Sequence, residues 1–433
     1  MKCYVIGLGC AKNGVDLEVI LGNLFEGSVF EITTNFKEAD LIWINTCAFI
    51  ESAKVEAINT ILEVLDKRRK RQKVVVSGCL STRYLADLEK EIKEVDAFIP
   101  IKDYPRIPEI INGLFKGDYL TDQFDFEKRA LTKNISSVYV KISEGCNRHC
   151  AYCAIPLIRG SFVSRDAQLI IEEVKDLVKK GAKEINLISQ ETTFYGADFK
   201  NGYNLISLLK DIENIEADFK IRLLYLYPTD IVKDLVYYIK DSKKVLPYFD
   251  IPLQHSEEEV LKKMLRPYKK DKNLEILNLI KKELPEATIR TTFIVGFPGE
   301  TKEEFNNLLQ FMKDIKFDRV GAFSYSKEEG TKGYQMKGQI RSDVKKSRLD
   351  RLYKVQEAIS LEKNKNKLAR HYNCLIEAYS KDDYCYIGRS YEYAPDDIDG
   401  VCFIYSQDEL KIGEIYECEV IDYDTNSLMM KVV

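Results

Sequence analysis

The sequence lacks a long hydrophobic run. No stretch of its 433 residues approaches the roughly 20 apolar residues that are needed to cross a bilayer. The first apolar run, from Tyr4 to Leu8, is short and is followed by no cleavage-site pattern, so we expect no secretion signal. Eleven cysteines without such a signal indicate a reducing compartment and metal ligation rather than disulfides. We therefore expect a cytoplasmic protein that does not bind membranes.

The central cysteine motif lacks a fourth ligand. Cys146, Cys150 and Cys153, here called the central trio, have C-x₃-C-x₂-C spacing, and no other cysteine lies nearby. Structural zinc normally takes four ligands, and His149 is poorly placed to supply the fourth because it adjoins Cys150. Three thiolates on a four-iron cluster instead leave one iron open, where S-adenosylmethionine (SAM) can bind through its amino and carboxylate groups. The alternatives are a zinc knuckle and a chance cluster.

The first 114 residues alternate between strand and helix patterns. Strands are predicted at 2–8, 40–44 and 73–76, and helices at 15–25, at 51–69 and from about Thr82. Such alternation predicts an open parallel sheet covered by helices. Cys10, Cys47 and Cys79, here called the N-terminal trio, each follow one strand in a loop at the same sheet edge. We predict that they converge on a second cluster with an open iron, the alternative being three buried core cysteines.

The alternation resumes at greater length between residues 138 and 323. Six strands are predicted at 138–142, 184–188, 220–224, 249–252, 288–294 and 319–323, with helices at 167–180, 205–212, 229–239, 257–265, 272–283 and 302–313. Six such units predict a partial, TIM-like (βα)₆ barrel whose active residues lie at the carboxyl ends of its strands. The central trio follows the first strand and therefore lies at the barrel mouth.

Other residues at the same mouth are candidates for SAM contacts. Gln190 and Glu191 follow the second strand and are candidates to hold the SAM amino group. Gly296 lies in a loop whose backbone can approach adenine closely, and Tyr152 precedes the last cysteine of the central trio. Helix capping and turn formation are the alternative roles. We expect His255 to be a hydrogen-bonded neighbour of the site rather than a metal ligand.

The last part of the chain changes pattern. A charged helical stretch at 342–369 precedes short strands at 374–379, 385–389, 401–405, 415–422 and 428–432, which predict a small OB-like β-barrel. Its cysteines are dispersed through the strands and are predicted to be packing residues. The predicted domains are 1–114, a linker at 115–134, 135–330, a helical connector at 331–369, and 370–433.

The net charge of −4 conceals an asymmetry. Residues 370–433 carry 5 Lys and Arg against 14 Asp and Glu, whereas the rest of the chain carries 60 against 55. An acidic module repels nucleic-acid phosphates and favours a basic protein surface. The composition therefore favours a basic protein as partner over transfer RNA.

With both trios placed, the whole chain resembles the radical SAM methylthiotransferases, and within them the RimO branch that modifies a ribosomal protein. The matching stretches are 9–13, 45–50, 143–146, 154–160, 388–391 and 398–401. Ala11 stands where this branch usually has Pro, and Leu17 where it usually has Ser; neither is a ligand. The resemblance implies a cluster-binding domain, a radical SAM partial barrel and a C-terminal TRAM domain.

The resemblance also implies an activity. The enzyme would transfer a methylthio group to the β-carbon of an aspartate in small-subunit ribosomal protein twelve, free or within the subunit. Its cofactors would be two [4Fe–4S] clusters and SAM, with an electron donor such as flavodoxin or ferredoxin. The central trio would hold the cluster that splits SAM, and the N-terminal trio the cluster that holds or supplies sulfur, which a second SAM methylates.

Two other functions compete with this interpretation. The first is the transfer-RNA branch of the same family, which modifies adenosine and whose terminal domain must grip RNA, a task to which an acidic module is poorly suited. The second is a non-enzymatic binding protein with two metal-stapled cysteine sets. Structural metal sites are normally closed by four ligands, whereas each trio offers three.

Overall fold

The computed structural model describes residues 1–25, 29–121, 123–132, 135–266 and 270–433. Its N-terminal part alternates strands and helices. The strands are β1 (Lys2–Gly7), β2 (Glu31–Ile32), β3 (Leu41–Thr46), β4 (Lys73–Gly78) and β5 (Ala97–Ile99). The helices are α1 (Ala11–Phe25), α2 (Glu51–Lys67), α3 (Cys79–Glu91) and α4 (Ile107–Phe115).

These strands form one parallel sheet in the order β2–β1–β3–β4–β5. The central strand β3 is buried along its whole length, as a strand covered on both faces must be. Ile42 and Ile44 pack into one apolar cluster, whereas Trp43 packs with Ile20 and Leu21 of α1 into another. The predicted open parallel sheet is confirmed. It also contains β2 and β5, which were not predicted, and the domain has a further helix, α4.

The third helix begins earlier than predicted. It begins at Cys79 rather than near Thr82, because Gly78, with φ of +96°, turns the chain directly from β4 into the helix. A side chain on Gly78 would stand 2.5 Å from the carbonyl oxygen of Thr46. The prediction that Cys79 lies in a loop is therefore wrong: it is the first helical residue.

The central part contains eight strands in the described residues. They are β6 (Ser137–Lys141), β7 (Ser143–Glu144), β8 (Val163–Ser164), β9 (Glu184–Ile188), β10 (Lys220–Leu223), β11 (Tyr248–Asp250), β12 (Thr288–Val295) and β13 (Arg319–Ser324). The helices are α5 (Ile155–Arg159), α6 (Ala167–Lys179), α7 (Leu205–Glu213), α8 (Ile231–Asp241), α9 (Glu258–Lys263), α10 (Lys270–Glu283), α11 (Lys302–Ile315) and α12 (Lys332–Gln335).

Six of these strands form the wall of a partial barrel. Strands β6, β9 and β10 make one parallel sheet, β11, β12 and β13 make another, and a parallel bridge between Ile221 and Val245 joins the two. Local signals start several of the helices, since Asp166 and Asn204 accept N–H bonds as N-caps and Thr301 forms a capping box. The predicted (βα)₆ barrel is confirmed.

A long helix, α13 (Ser342–Lys365), leads to a closed C-terminal barrel. The barrel strands are β14 (His371–Ser380), β15 (Cys385–Arg389), β16 (Cys402–Tyr405), β17 (Ile415–Tyr423) and β18 (Leu428–Val432), in the order β14–β15–β16–β18–β17. Cys374, Cys402 and Cys418 lie in its apolar core as free thiols, and Cys385 is also buried. The structure thus agrees with the packing role that the sequence predicts for them.

The C-terminal barrel packs against the amino ends of the central strands. Glu184, the first residue of β9, accepts hydrogen bonds of 2.6 Å from both Arg222 and Arg389. Burial opposes its charge, but the two guanidinium groups outweigh burial and lower the pKa of Glu184 to about 2. Nearby, Tyr248 donates a 2.5 Å hydrogen bond to Asp399 of the C-terminal barrel. The loop that carries the central trio follows the carboxyl end of a central strand and therefore lies at the opposite end of the central barrel.

The domain boundaries drawn from the sequence stay predictions. The linker proposed at 115–134 includes residues 122, 133 and 134, which lie outside the described residues. In the described chain, no helix combines the length and the apolar character that crossing a membrane requires.

Candidate active site

The structure brings the N-terminal trio to one edge of the first sheet. Cys10 lies between β1 and α1, Cys47 lies between β3 and α2, and Cys79 opens α3 after β4. Strands β1, β3 and β4 are neighbours in the sheet, so their carboxyl ends place these thiols together. Gly9 lies against Cys47, because a Cβ built on Gly9 would stand 3.2 Å from the Cys47 sulfur.

The thiols of this trio affect one another electrostatically. Burial raises the pKa of Cys79 to about 11, and the charges of Cys47 and Cys10 add to the rise. Burial likewise raises the pKa of Cys47, with a further contribution from Cys10. Desolvation also acts against the Cys10 thiolate, but Lys12, the N–H of Asn13 and Arg159 outweigh it and lower the pKa of Cys10.

Two asparagines fasten the loops that carry these thiols. The Asn13 side chain donates to the carbonyls of Leu8, at 2.6 Å, and Thr46, at 3.1 Å. Asn45 donates to the Asn13 carbonyl at 2.8 Å. These bonds tie the loop after β1 to the end of β3, so the position of Cys10 relative to Cys47 depends on buried side chains.

The central trio is held by its own loop. The Cys146 N–H donates to the Gly160 carbonyl at 3.1 Å, and the Cys153 N–H donates to the Cys150 carbonyl at 3.0 Å. Burial raises the pKa of Cys146 to about 11 and that of Cys153 to about 12, and the charge of Cys150 contributes to both rises. This trio therefore forms a compact local group of thiols.

Arg159 connects the two trios. Its guanidinium lies 3.4 Å from the Cys79 sulfur and 3.2 Å from the Asn13 side-chain oxygen. The same group pairs with Asp16 of α1 and with Glu144, at 3.3 Å, which is two residues before Cys146. The side chain is almost completely buried. A single cation thus contacts the N-terminal trio and the segment that begins the central trio.

Each trio offers three thiolates, which are soft ligands of the kind that suits an iron–sulfur cluster. Among the described residues, no three His, Cys, Asp or Glu side chains converge closely enough to hold one metal ion. His149 is exposed. Each trio therefore fits the donor chemistry of an iron–sulfur cluster.

Each of the four predicted SAM residues has a partner within the protein. Gln190 donates to Glu144 at 2.9 Å, and its own side-chain carbonyl oxygen is buried and has no hydrogen-bond partner in the described part of the chain. Glu191 forms a two-pronged ion pair with Arg148, the shortest bond being 2.8 Å, and lies 4.0 Å from the Cys146 sulfur. Glu191 is thus already neutralised by a neighbouring cation.

The other two candidates are Tyr152 and Gly296. The Tyr152 hydroxyl accepts a 3.1 Å hydrogen bond from Arg266. Gly296 adopts a φ of +77°, and a side chain there would stand 2.5 Å from the Lys345 side chain. The Gly296 N–H donates to Glu300 at 2.5 Å, which fixes the loop. The close approach that this glycine allows within the chain is therefore to Lys345.

His255 differs from its prediction in one respect. Its Nδ1 accepts a 3.1 Å bond from the Glu257 N–H, but its buried Nε2 has no hydrogen-bond partner among the described residues. Burial lowers the pKa of His255 to about 3, so the ring is neutral. His255 is therefore hydrogen-bonded, as expected, but through Nδ1 alone among the described residues.

Several charged residues of the site were not predicted from the sequence. Arg159, Asp16, Lys141 and Arg148 were given no role, although the structure places all four beside the trios. Arg159 and Arg148 do fall within conspicuous stretches, at 154–160 and inside the central trio. Their place in these stretches could have marked the two arginines as site residues, but it does not show which side chains they contact.

The comparisons with known proteins define the class of the central barrel. Residues 140–312 match the Radical SAM superfamily, residues 2–100 match the Uncharacterized protein family UPF0004, and residues 370–433 match the TRAM domain. The barrel is therefore that of a radical SAM enzyme. Over 100% of its length the chain is 40% identical to the ribosomal protein uS12 methylthiotransferase RimO of Acetivibrio thermocellus, covering 98% of that protein. The chain belongs to this methylthiotransferase family.

Further comparisons agree with this membership. The RimO protein of Aquifex aeolicus is 44% identical over 98% of this chain and 96% of its own length. At 12% identity, the radical SAM methyltransferase TsrM from Kitasatospora setae shares the fold with a TM-score of 0.55, over 74% of this chain and 72% of that chain. The radical SAM enzyme OxsB has a TM-score of 0.53 at 12% identity, over 82% and 56%.

Family membership excludes one of the two competing functions. The chain is an enzyme, a radical SAM methylthiotransferase, which excludes the non-enzymatic binding protein. The predicted cofactors, [4Fe–4S] clusters and SAM, are confirmed by the same membership.

Proposed function

We propose that this protein transfers a methylthio group to the β-carbon of an aspartate in ribosomal protein uS12. In the overall change one C–H bond of that carbon breaks and one C–S bond forms, and the methyl group comes from SAM. The observation that carries the proposal is the link that Arg159 makes between Cys79 of the N-terminal trio and Glu144, two residues before the central trio, in a chain similar to uS12 methylthiotransferases.

The two trios are the proposed cluster ligands, one cluster to each. A four-iron cluster held by the central trio would, when reduced and supplied with SAM, provide a radical able to remove hydrogen from an unactivated carbon. Tyr152, Gln190, Glu191 and Gly296 are the proposed SAM contacts. Gln190 is the best supported of them, because its buried carbonyl oxygen lacks a partner among the described residues and can accept from an amino group.

The remaining residues of the site position these groups and exclude water. Arg148 holds Glu191 through a two-pronged ion pair and lies over the ring of Tyr227, 4.4 Å from its centroid. At the opposite, amino end of the central barrel, the C-terminal barrel forms hydrogen bonds to central residues: Arg389 donates to Glu184, and Asp399 accepts from Arg290. Access to the reacting atoms is therefore expected from the mouth, where the two trios lie.

The substrate proposal is supported by charge. Some acidic side chains of the C-terminal barrel are paired: Asp399 pairs with Arg290 of the central barrel, and Glu392 pairs with Lys367. Others remain exposed. The exposed ones include Asp382, Asp383, Asp408 and Glu409. Such a surface suits a basic ribosomal protein and disfavours transfer RNA. We further propose a cytoplasmic location and a flavodoxin or ferredoxin as electron donor.

The experiment that tests the function uses the full chain with reconstituted clusters. Anaerobic enzyme, SAM, a reductant and purified uS12, free or in the small subunit, are incubated, and the peptides are analysed by mass spectrometry. We expect one methylthio group on one aspartyl peptide. Cys146→Ala protein is the matched control and leaves uS12 unmodified. Unmodified uS12 together with methylthiolated transfer RNA would contradict the proposal.

A further inference from the structure

Lys12 places an ammonium group at the junction of the two cysteine-bearing domains. It is the second residue of α1, two positions after Cys10, and only 8% of it is exposed. Its Nζ lies 3.2 Å from the centroid of the Tyr225 ring, which belongs to the loop after β10 of the central barrel. The side chain therefore extends from the N-terminal trio towards the barrel interior.

The ammonium of Lys12 has no carboxylate partner among the described residues. Two other described lysines are buried to a similar degree, and both form ion pairs: Lys54 pairs with Glu328 at 3.2 Å, and Lys367 pairs with Glu392 at 2.5 Å. Removing an ammonium from water is costly unless an anion compensates. Among the described residues, Lys12 thus differs from these two lysines in having no carboxylate partner; the groups that act favourably on its charge are Tyr225 and the Cys10 thiol.

Its aromatic neighbour is held in an unfavourable backbone conformation. Tyr225 has a φ of +62°, in the left-handed region that a bulky residue rarely adopts. Its N–H donates to Asp250 at 2.9 Å, and its carbonyl accepts from the Thr192 N–H at 3.2 Å. Strain that the surroundings fix in this way clusters at functional sites. Here it directs an aromatic face at the Lys12 ammonium.

We propose that Lys12 binds the carboxylate of the substrate aspartate. This inference rests on the proposed function and deepens it by naming the residue that selects aspartate. The carboxyl carbon is bonded to the β-carbon that reacts, so anchoring the carboxylate also fixes the reacting carbon. Because Lys12 is two residues from Cys10, the anchor holds that carbon beside the N-terminal trio, the proposed source of sulfur.

The other cation at the junction is not available for this role. Arg159 is occupied by Asp16 and Glu144, and its remaining edge contacts Cys79 and Asn13. Lys141 is likewise paired with Asp16 and Glu144. Lys12 also lies within electrostatic reach of Cys10, so the competing role is neutralisation of the trio alone. A test must therefore separate substrate selection from support of the trio.

The experiment compares uS12 with a uS12 variant in which the modified aspartate is replaced by asparagine. Both proteins are offered to the reconstituted wild-type, Lys12→Gln and Lys12→Arg enzymes, and to Lys37→Gln, which alters an exposed lysine of the same domain. Three quantities are measured: iron content, the dissociation constant for each uS12 protein, and the rate of methylthiolation. The decisive quantity is the preference for aspartate over asparagine in binding and in rate.

We expect wild-type and Lys37→Gln enzymes to prefer aspartate by about tenfold to a hundredfold, as a charged hydrogen bond in a desolvated site allows. Lys12→Gln should bring this preference close to one at unchanged iron content, and Lys12→Arg should restore part of it. An unchanged preference in Lys12→Gln, with equal losses on both proteins, would overturn the inference while leaving the function intact. Wild-type enzyme that modifies transfer RNA and not uS12 would overturn both.

Discussion

The two cysteine trios, which we propose as the cluster ligands, are assembled in different ways. The central trio lies within eight consecutive residues, and its geometry depends on one loop closed by a 3.1 Å bond from Cys146 to Gly160. The N-terminal trio is assembled from three strand ends that are 37 and 32 residues apart in sequence. The first site is therefore a property of local sequence, and the second is a property of the parallel sheet.

This difference teaches where each site is vulnerable. The central trio depends on turn residues such as Gly145, whose φ is +73° and where a side chain would stand 2.1 Å from the Ser161 carbonyl oxygen. The N-terminal trio depends on buried side chains far from it in sequence, above all Asn13 and Arg159. Changes at a distance should therefore affect the N-terminal trio more than the central one.

The largest expected effect separates the chemical roles of the trios. Cys150→Ala should abolish SAM cleavage and, with it, methylthiolation. Cys47→Ala should abolish methylthiolation but retain SAM cleavage, because the central trio remains complete. Iron content, release of deoxyadenosine and the mass of uS12 measure the two outcomes. Loss of SAM cleavage in Cys47→Ala protein of normal barrel iron content would refute the assignment of separate roles.

A smaller but still large effect is expected at Arg159, which the trios share. Arg159→Met leaves Asp16 buried and removes one of its two cationic partners, so we expect a loss of about 3–5 kcal/mol in the free energy of unfolding. Arg159→Lys should retain part of the stability because it keeps the charge. Denaturant unfolding of the three proteins measures this. Equal stability of Arg159→Met and wild type would mean that the ion pairs of Arg159 position side chains of the site without stabilising the fold.

The interface at the opposite end of the barrel should respond to acid. The folded pKa of Glu184, about 2, lies below the usual value near 4.3. Its contribution is therefore present above about pH 4.3 and is lost as the pH falls towards 2, an effect of about 3 kcal/mol. Glu184→Gln should be less stable at neutral pH and should lose less stability over this range. Parallel pH profiles of the two proteins would contradict this account.

The smallest effect is expected at the third group of cysteines, which serves as a contrast to both trios. Cys402 is fully buried in the C-terminal barrel beside Cys374. Cys402→Ala removes only a small apolar side chain, so we expect a loss of about 1 kcal/mol and an unchanged iron content. Thermal unfolding and iron analysis measure both. A loss of iron would reveal a metal-binding role for this domain.

Much of the fold could be predicted because local patterns of apolar residues indicate its strands and helices. The predicted central strands at 184–188, 220–224 and 319–323 agree closely with Glu184–Ile188, Lys220–Leu223 and Arg319–Ser324. Buried parallel strands read as continuous apolar runs, which makes them conspicuous. The short strands Glu31–Ile32 and Ala97–Ile99 were missed because two or three residues are too few to show a hydrophobic periodicity.

The sequence by itself determined the order of the elements, the strand ends at which the six cysteines lie, and the acidic character of the last domain. Tertiary structure alone decided which charges meet. Asp16 and Arg159 are 143 residues apart, and Arg389 meets Glu184 over 205 residues. Such pairs depend on how whole layers pack, which no local period records. For the same reason, only the folded chain reveals that Lys12 is buried without a carboxylate and His255 without a partner on Nε2 among the described residues.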